Sequence, residues 1–197
     1  MIIIHDFFLE NGGGENLVIS IAKKFNIKII TAYSKKKISL IKESKFNFIF
    51  KNNKLFTFFY YYFFFKVSTN KRLIFSGNHC VYSNHKCIAK QKILYAHSLP
   101  KYLYSELYLG TSTNFFFDLF KGILKKKYKK NIFLFDEIIF NSIKTKSKFT
   151  SVFPDLLNFN MKLKVVYPFS EIIFLDKNFK NISKNYLVIN SRHTPTK

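Results

Sequence analysis

Acidic residues are scarce in this chain. Asp and Glu total 11 against 33 Lys and Arg, for a net charge of +22 over 197 residues. Carboxylates so few and scattered give poor grounds for the paired acids of a glycoside hydrolase. Cysteine is almost absent too: two residues exclude a disulfide framework. His79-Cys80 and His85-x-Cys87 hold four metal-binding side chains. Their spacing matches no zinc finger and no second Cys-x-x-Cys follows, so no metal is expected. Long apolar runs are missing as well. The aromatic stretch from Leu55 to Phe65 is bounded by Lys54 and Lys66, well short of the roughly 20 residues a spanning helix needs. It reads as a buried core helix or, in the sharper alternative, an interfacial segment with aromatic anchors. No basic region precedes Met1 to Ile4, which argues against a secretory signal. No Gly-x-Ser-x-Gly elbow supports a Ser-His-Asp triad.

A hydrophobic content of 48% excludes a disordered chain, and the length suits one α/β domain with a real core. The positive charge would attract polyanions: nucleic acid, anionic lipid or phosphorylated substrates. Lys, Asn, Ile and Phe are over-used together, so part of that charge is compositional drift. The compact basic run, Lys125 to Lys130 around Tyr128, follows a helical pattern. It is either a solvated helix end, where lysines complement the negative pole, or a phosphate- or lipid-facing surface.

Along the chain, apolar runs alternate with amphipathic ones. Met1 to Phe7 reads as a strand, Leu9 to Gly14 as a glycine-rich turn, and the residues from Glu15 to Phe25 as a helix by their spacing. Ile27 to Tyr33 is the next strand, and residues 34–54 are basic and irregular. Residues 55–67 read as helical. Leu73 to Phe75, Ile93 to Ala96, Glu137 to Phe140 and Lys164 to Tyr167 read as short strands. Thr113/Asn114 caps a helix with Phe116, Leu119, Phe120, Ile123 and Leu124 on one face, and Ser142 caps another over roughly 143–152. Residues 169–185 form a connector, and Tyr186 to Asn190 starts a new strand. The alternation predicts an α/β fold with a Rossmann-like, doubly wound parallel sheet.

In such sheets ligands sit beyond the carboxyl ends of the strands. The residues there form a set: Gly12, Gly13, Gly14 and Glu15; Ser76-Gly77; His97-Ser98; Asn141-Ser142; and Pro168. Glycines at a helix start let backbone approach a ligand, and free amides there favour anions. The loop is neither a Gly-x-Gly-x-x-Gly nor a Walker motif, so a plain tight turn stays open, and Glu15 can simply complement the helix dipole. His97, at a strand end, can hydrogen-bond a sugar hydroxyl or a phosphate.

Five segments together resemble a known family. His5-Asp6 followed by Gly-Gly-Gly-Glu and an amphipathic helix looks like the amino terminus of the retaining glycosyltransferases of family 4 (group 1). Tyr95-Ala-His97-Ser-Leu99-Pro-Lys101-Tyr-Leu-Tyr104 resembles that family's Tyr-Cys-His-Thr-Pro-Pro-Arg-Tyr-Leu-Tyr segment, in its mannosyltransferase-like branch. Glu137 to Ser142, Val165 to Pro168, and Arg192-His-Thr-Pro-Thr-Lys197 are similar to three further motifs, in family order. Lys101 replaces the branch's usual Arg, and Leu99 its Pro.

The resemblance implies the N-terminal, acceptor-side half of a GT-B enzyme, spanning residues 1–185. Residues 186–197 would begin a C-terminal donor-binding domain that this chain lacks. Gly13 and Gly14 would approach the donor phosphate or transferred sugar, and His97 would sit near that sugar as the catalytic residue. Gly12, Glu15, Lys101, Asn141 and Ser142 join the binding set. Arg192 and Lys197 would clamp the diphosphate, stabilising the leaving group without a metal or other cofactor. The expected partners are a nucleoside-diphosphate sugar, a glycan or lipid-linked acceptor, a separate C-terminal half and a peripheral membrane contact, with no nucleic acid. The expected place is the cytoplasm, on the inner face of the membrane, and the chain is expected to be inactive alone. The competing reading is a non-enzymatic basic α/β module that binds anionic membrane or nucleic acid.

Overall fold

A computed structural model of the chain describes residues 1–9, 12–44, 54–104 and 115–168, with backbone only at 54, 55 and 115–120. The Thr113/Asn114 cap, the side chains of Phe116, Leu119 and Phe120, the connector at 169–185, the strand at 186–190, Arg192 and Lys197 lie outside the described residues.

Seven strands form one sheet: β1 (Ile2–Phe8), β2 (Lys28–Ser34), β3 (Ile41–Glu43), β4 (Arg72–Ser76), β5 (Gln91–Ala96), β6 (Glu137–Phe140) and β7 (Lys162–Val165). Their order is β3-β2-β1-β4-β5-β6-β7, and every neighbouring pair is parallel. This is the doubly wound, Rossmann-like order, with its switch point between β1 and β4. The helices are α1 (Gly13–Lys24), α2 (Lys54–Phe59), α3 (Lys101–Tyr104), α4 (Phe115–Ile132) and α5 (Ile143–Val152).

Period-two alternation in the central strands builds the layers. Ile3 and Ile29 pack with Val18, Ile19 and Ala22 of α1 in one cluster. Ile4, Leu73 and Phe75 face the other way, into a larger cluster with Leu124 and Tyr128 of α4 and Phe149 of α5. Strands covered on both faces read as near-continuous apolar runs, which is why β1 begins Ile-Ile-Ile.

Helix ends follow local chemistry. The Ser142 hydroxyl accepts the Thr145 amide at 3.1 Å and caps α5. α1 ends in a Schellman turn: the Ile27 amide reaches the Ala22 carbonyl at 2.8 Å, and Asn26 takes φ 48°.

Several sequence expectations need correction. Gly13 and Gly14 are helical, with Gly12 extended at the N-cap (φ −73°, ψ 150°), so α1 begins two residues earlier than its apolar spacing suggests. Residues 34–54 contain the short edge strand β3. β7 runs over 162–165 rather than 164–167, because Glu137 to Phe140 pair with Lys162 to Val165. Ile123 points to solvent while Leu124 is buried, so the two do not share a buried face. The aromatic stretch is neither all core nor all surface. α2 passes into a π-helical turn, Tyr60–Phe64, closed by the Phe65 amide on the Tyr60 carbonyl at 2.9 Å. Thr57, Phe58, Tyr61 and Phe65 are buried, and Phe56, Phe59, Phe63 and Phe64 are exposed.

Candidate functional site

The second half of β1 carries His5 and Asp6, both buried, with Thr31 and Ser76 as the register partners of His5 on either side. The Asp6 carboxylate accepts three backbone amides from the turn after β4. Oδ2 takes Asn78 at 2.8 Å and His79 at 3.0 Å, and Oδ1 takes Cys80 at 2.7 Å. These amides open the 3-10 helix Cys80–Lys86. Asp6 thus ties β1 to β4 across the switch point through charge-assisted bonds. A Cβ at Gly77 would stand 2.4 Å from that carboxyl group, so only glycine fits beneath it.

His5 donates Nδ1–H to the Ser76 carbonyl. A carbonyl only accepts, so this contact fixes the tautomer and leaves Nε2 without the proton. Burial pulls the His5 pKa below its ordinary value, against the opposing pull of the Asp6 charge and the Ser76 bond. The Tyr61 hydroxyl donates to the His5 carbonyl at 2.6 Å.

Beyond β5, His97 Nε2 lies 2.8 Å from the Ser76 hydroxyl. Its pKa falls from 6.5 to about 4, chiefly through burial, with repulsion from His5 adding and attraction to Asp6 opposing. At neutral pH it is an uncharged imidazole, suited to a hydroxyl rather than to a salt bridge with phosphate. On its other side stands α1. A Cβ on Gly14 would lie 3.6 Å from His97 Nδ1 and Cε1. Asn141 closes the rim from β6, donating Nδ2–H to the His97 carbonyl at 3.0 Å.

The glycine helix start, His97 and Asn141-Ser142 therefore converge on one rim. Of these only His97 lines the adjoining cavity of about 100 Å³, whose other walls include His5, Asp6, Ser76, Gly77 and Tyr128. That is smaller than the roughly 300–1,000 Å³ that encloses a drug-sized ligand. It suits one small group, with the rest of any ligand lying outside.

The members of the set differ in what they can offer. Gly12 and Gly13 leave open space where a Cβ would be. The first amides of α1 lack intrahelical acceptors and carry the positive helix pole. Glu15 ties the loop back, its Oε1 accepting the Leu9 amide at 3.4 Å. Asn141 and Ser142 are engaged in capping: Asn141 Oδ1 accepts the Thr145 hydroxyl at 2.6 Å. Lys101 is exposed at the start of α3. Pro168 is exposed beyond β7.

His5 and Asp6 line the cavity but were missing from the strand-end set read from the sequence, which did include Ser76 and Gly77. The available signal was a polar pair within an apolar strand. The His and Cys residues of 79–87 go separate ways. His79 packs against the rings of Phe58 and Tyr102, Cys80 Sγ lies 3.8 Å from the Ile4 carbonyl, and His85 binds Asn131 Oδ1. Among the described residues no helix is long and apolar enough to cross a membrane. Compared with protein-family models, with curated proteins and with solved structures, the chain finds no match.

Proposed function

We propose that this chain is the acceptor-side Rossmann-like half of a retaining glycosyltransferase. It would move a sugar from a nucleoside-diphosphate donor to a cell-surface glycan or a lipid-linked acceptor, at the cytoplasmic face of a membrane. The observation that carries this reading is the place of Gly14 beside the His97 ring, where a Cβ on Gly14 would lie 3.6 Å from the imidazole. Two motifs whose likeness to the family was read separately, far apart in sequence, stand against each other there. In this reading the amides at the start of α1 receive a donor phosphate oxygen. Neutral His97 holds a hydroxyl of the transferred sugar, its ring set by Ser76. Asp6 and Gly77 keep β1 and β4 in register beneath it. Contacts to the base and ribose come from a second Rossmann-like half, to which Arg192 and Lys197 lead. Fixed cations there stabilise the departing diphosphate.

Titration calorimetry of the chain with uridine and guanosine diphosphate sugars tests this. Weak binding that needs the diphosphate is expected, at least about tenfold weaker after Gly14→Val. His97→Ala should weaken binding of the diphosphate sugar but leave that of the free diphosphate unchanged. No binding, or binding indifferent to Gly14→Val, would overturn the reading.

A further inference from the structure

The aromatic turn meets the basic run of the sequence at Lys127. Phe63 and Phe64 are 58% and 70% exposed, and Phe56 and Phe59 are exposed beside them. Phe59 and Phe63 stack at 6.0 Å, and Phe63 meets Phe64 at 6.3 Å, so the rings form a continuous patch. The π-turn produces this arrangement. Its wider winding, with more residues per turn, leaves Tyr61 and Phe65 inward and the two phenylalanines between Tyr62 and Phe65 outward. The patch is held rigidly: Lys86 Nζ donates to the Tyr61 and Tyr62 carbonyls at 3.1 and 2.8 Å. Cations border it. Lys127 Nζ lies 5.8 Å from the Tyr62 ring and exposed Lys66 follows the turn, whereas Lys125 sits over the Tyr104 ring.

We propose that Phe59, Phe63 and Phe64, with Lys66 and Lys127, form a docking surface for an anionic lipid bilayer. The rings would enter the headgroup region while the lysines meet lipid phosphates. Exposed aromatic side chains next to lysines are the composition of a segment that lies in the interface plane, and anionic headgroups attract such a basic fringe. Charge decides against a second copy of the chain, since a self-paired patch would set lysines against lysines on a chain of net charge +22. The exposed rings pack on one another as a single apolar patch, which suits the acyl boundary of a bilayer. This surface is independent of the crevice and of the transferase reading.

Flotation of the full chain tests it, with vesicles of phosphatidylcholine alone and of phosphatidylcholine mixed with phosphatidylglycerol. Binding to the mixed vesicles should exceed that to the neutral ones by at least about tenfold at low salt, and fall as salt rises. Phe59→Ser with Phe63→Ser and Phe64→Ser should reduce binding at least about tenfold while keeping the far-ultraviolet dichroism of the parent. If the triple variant does not fold, Phe64→Ser alone should still weaken binding. Lys66→Gln with Lys127→Gln should weaken it more than the same change at Lys144 and Lys148 of α5. Equal losses from the two lysine sets would mean that only net charge matters, and would overturn the surface. So would equal binding to both vesicles, full binding by the serine variants, concentration-dependent dimerisation abolished by them without vesicle binding, or retention on a DNA duplex or single strand in place of vesicles.

Discussion

The Cβ that Gly77 lacks would stand 2.4 Å from the carboxyl carbon of Asp6. The carboxylate cannot swing aside, because three amides of the following turn hold it. Gly77→Ala should therefore cost about 3 kcal/mol in denaturant unfolding, the upper range for overpacking. Asp6→Ala should cost a similar amount by orphaning those amides. The double variant should cost clearly less than the sum, since the clash vanishes with the carboxylate. Strict additivity would show that the two residues do not act as a unit.

His97 makes stability depend on pH. Its folded pKa, about 4, lies below the ordinary 6.5. Between those values the unfolded chain binds more protons than the folded one, so stability rises with pH there. The contribution is complete above about pH 6.5 and is lost as pH falls towards 4. It amounts to no more than about 3 kcal/mol, with partial solvent access reducing it. Denaturant midpoints from pH 4 to 8 should show this slope, and His97→Gln should flatten it. His5, also lowered, acts in the same direction, so some slope should remain.

Asn26 holds a left-handed conformation at the end of α1. Asn26→Gly should stabilise the fold by a few tenths to about 1 kcal/mol. Asn26→Val should destabilise it by about 1–2 kcal/mol. Thermal melting of the two variants in opposite directions is the check.

Lys86 closes the aromatic turn. Lys86→Met keeps the aliphatic stem but strips two carbonyls of their donor, at a cost of about 1–2 kcal/mol. Near-ultraviolet dichroism from Tyr61 and Tyr62 should change more than far-ultraviolet dichroism does. Amides of 60–65 should exchange faster than those of β1.

Much of the frame was legible because its signals are local. β6 matches its apolar run residue for residue, and Ser142 announces α5 by capping chemistry alone. What escaped depends on pairs distant in sequence. Nothing local couples Asp6 to Gly77, so Asp6 looked like a polar strand end rather than the brace of a turn. β3 has three residues and no apolar run, and it is a strand because β2 offers it an edge. The switch from α to π winding leaves no trace in a run of phenylalanine and tyrosine that suits either. His97 was legible by position. Its neutrality was not, since that depends on burial and on an imidazole ninety-two positions away.

The place of β1 inside the sheet, between β2 and β4, sets a clock on biogenesis. His5 leaves the ribosome well before its partner on β4, which lies 71 positions later. At 5–20 residues per second, β1 waits roughly 4–14 s with one flank unpaired. Local pairing with β2 can proceed meanwhile, but the crevice cannot exist before β4 arrives. Contacts this far apart in sequence are slow to close. During that interval Ile2-Ile3-Ile4 is an exposed apolar strand, and chaperone occupancy should peak there and fall once Ser76 has emerged.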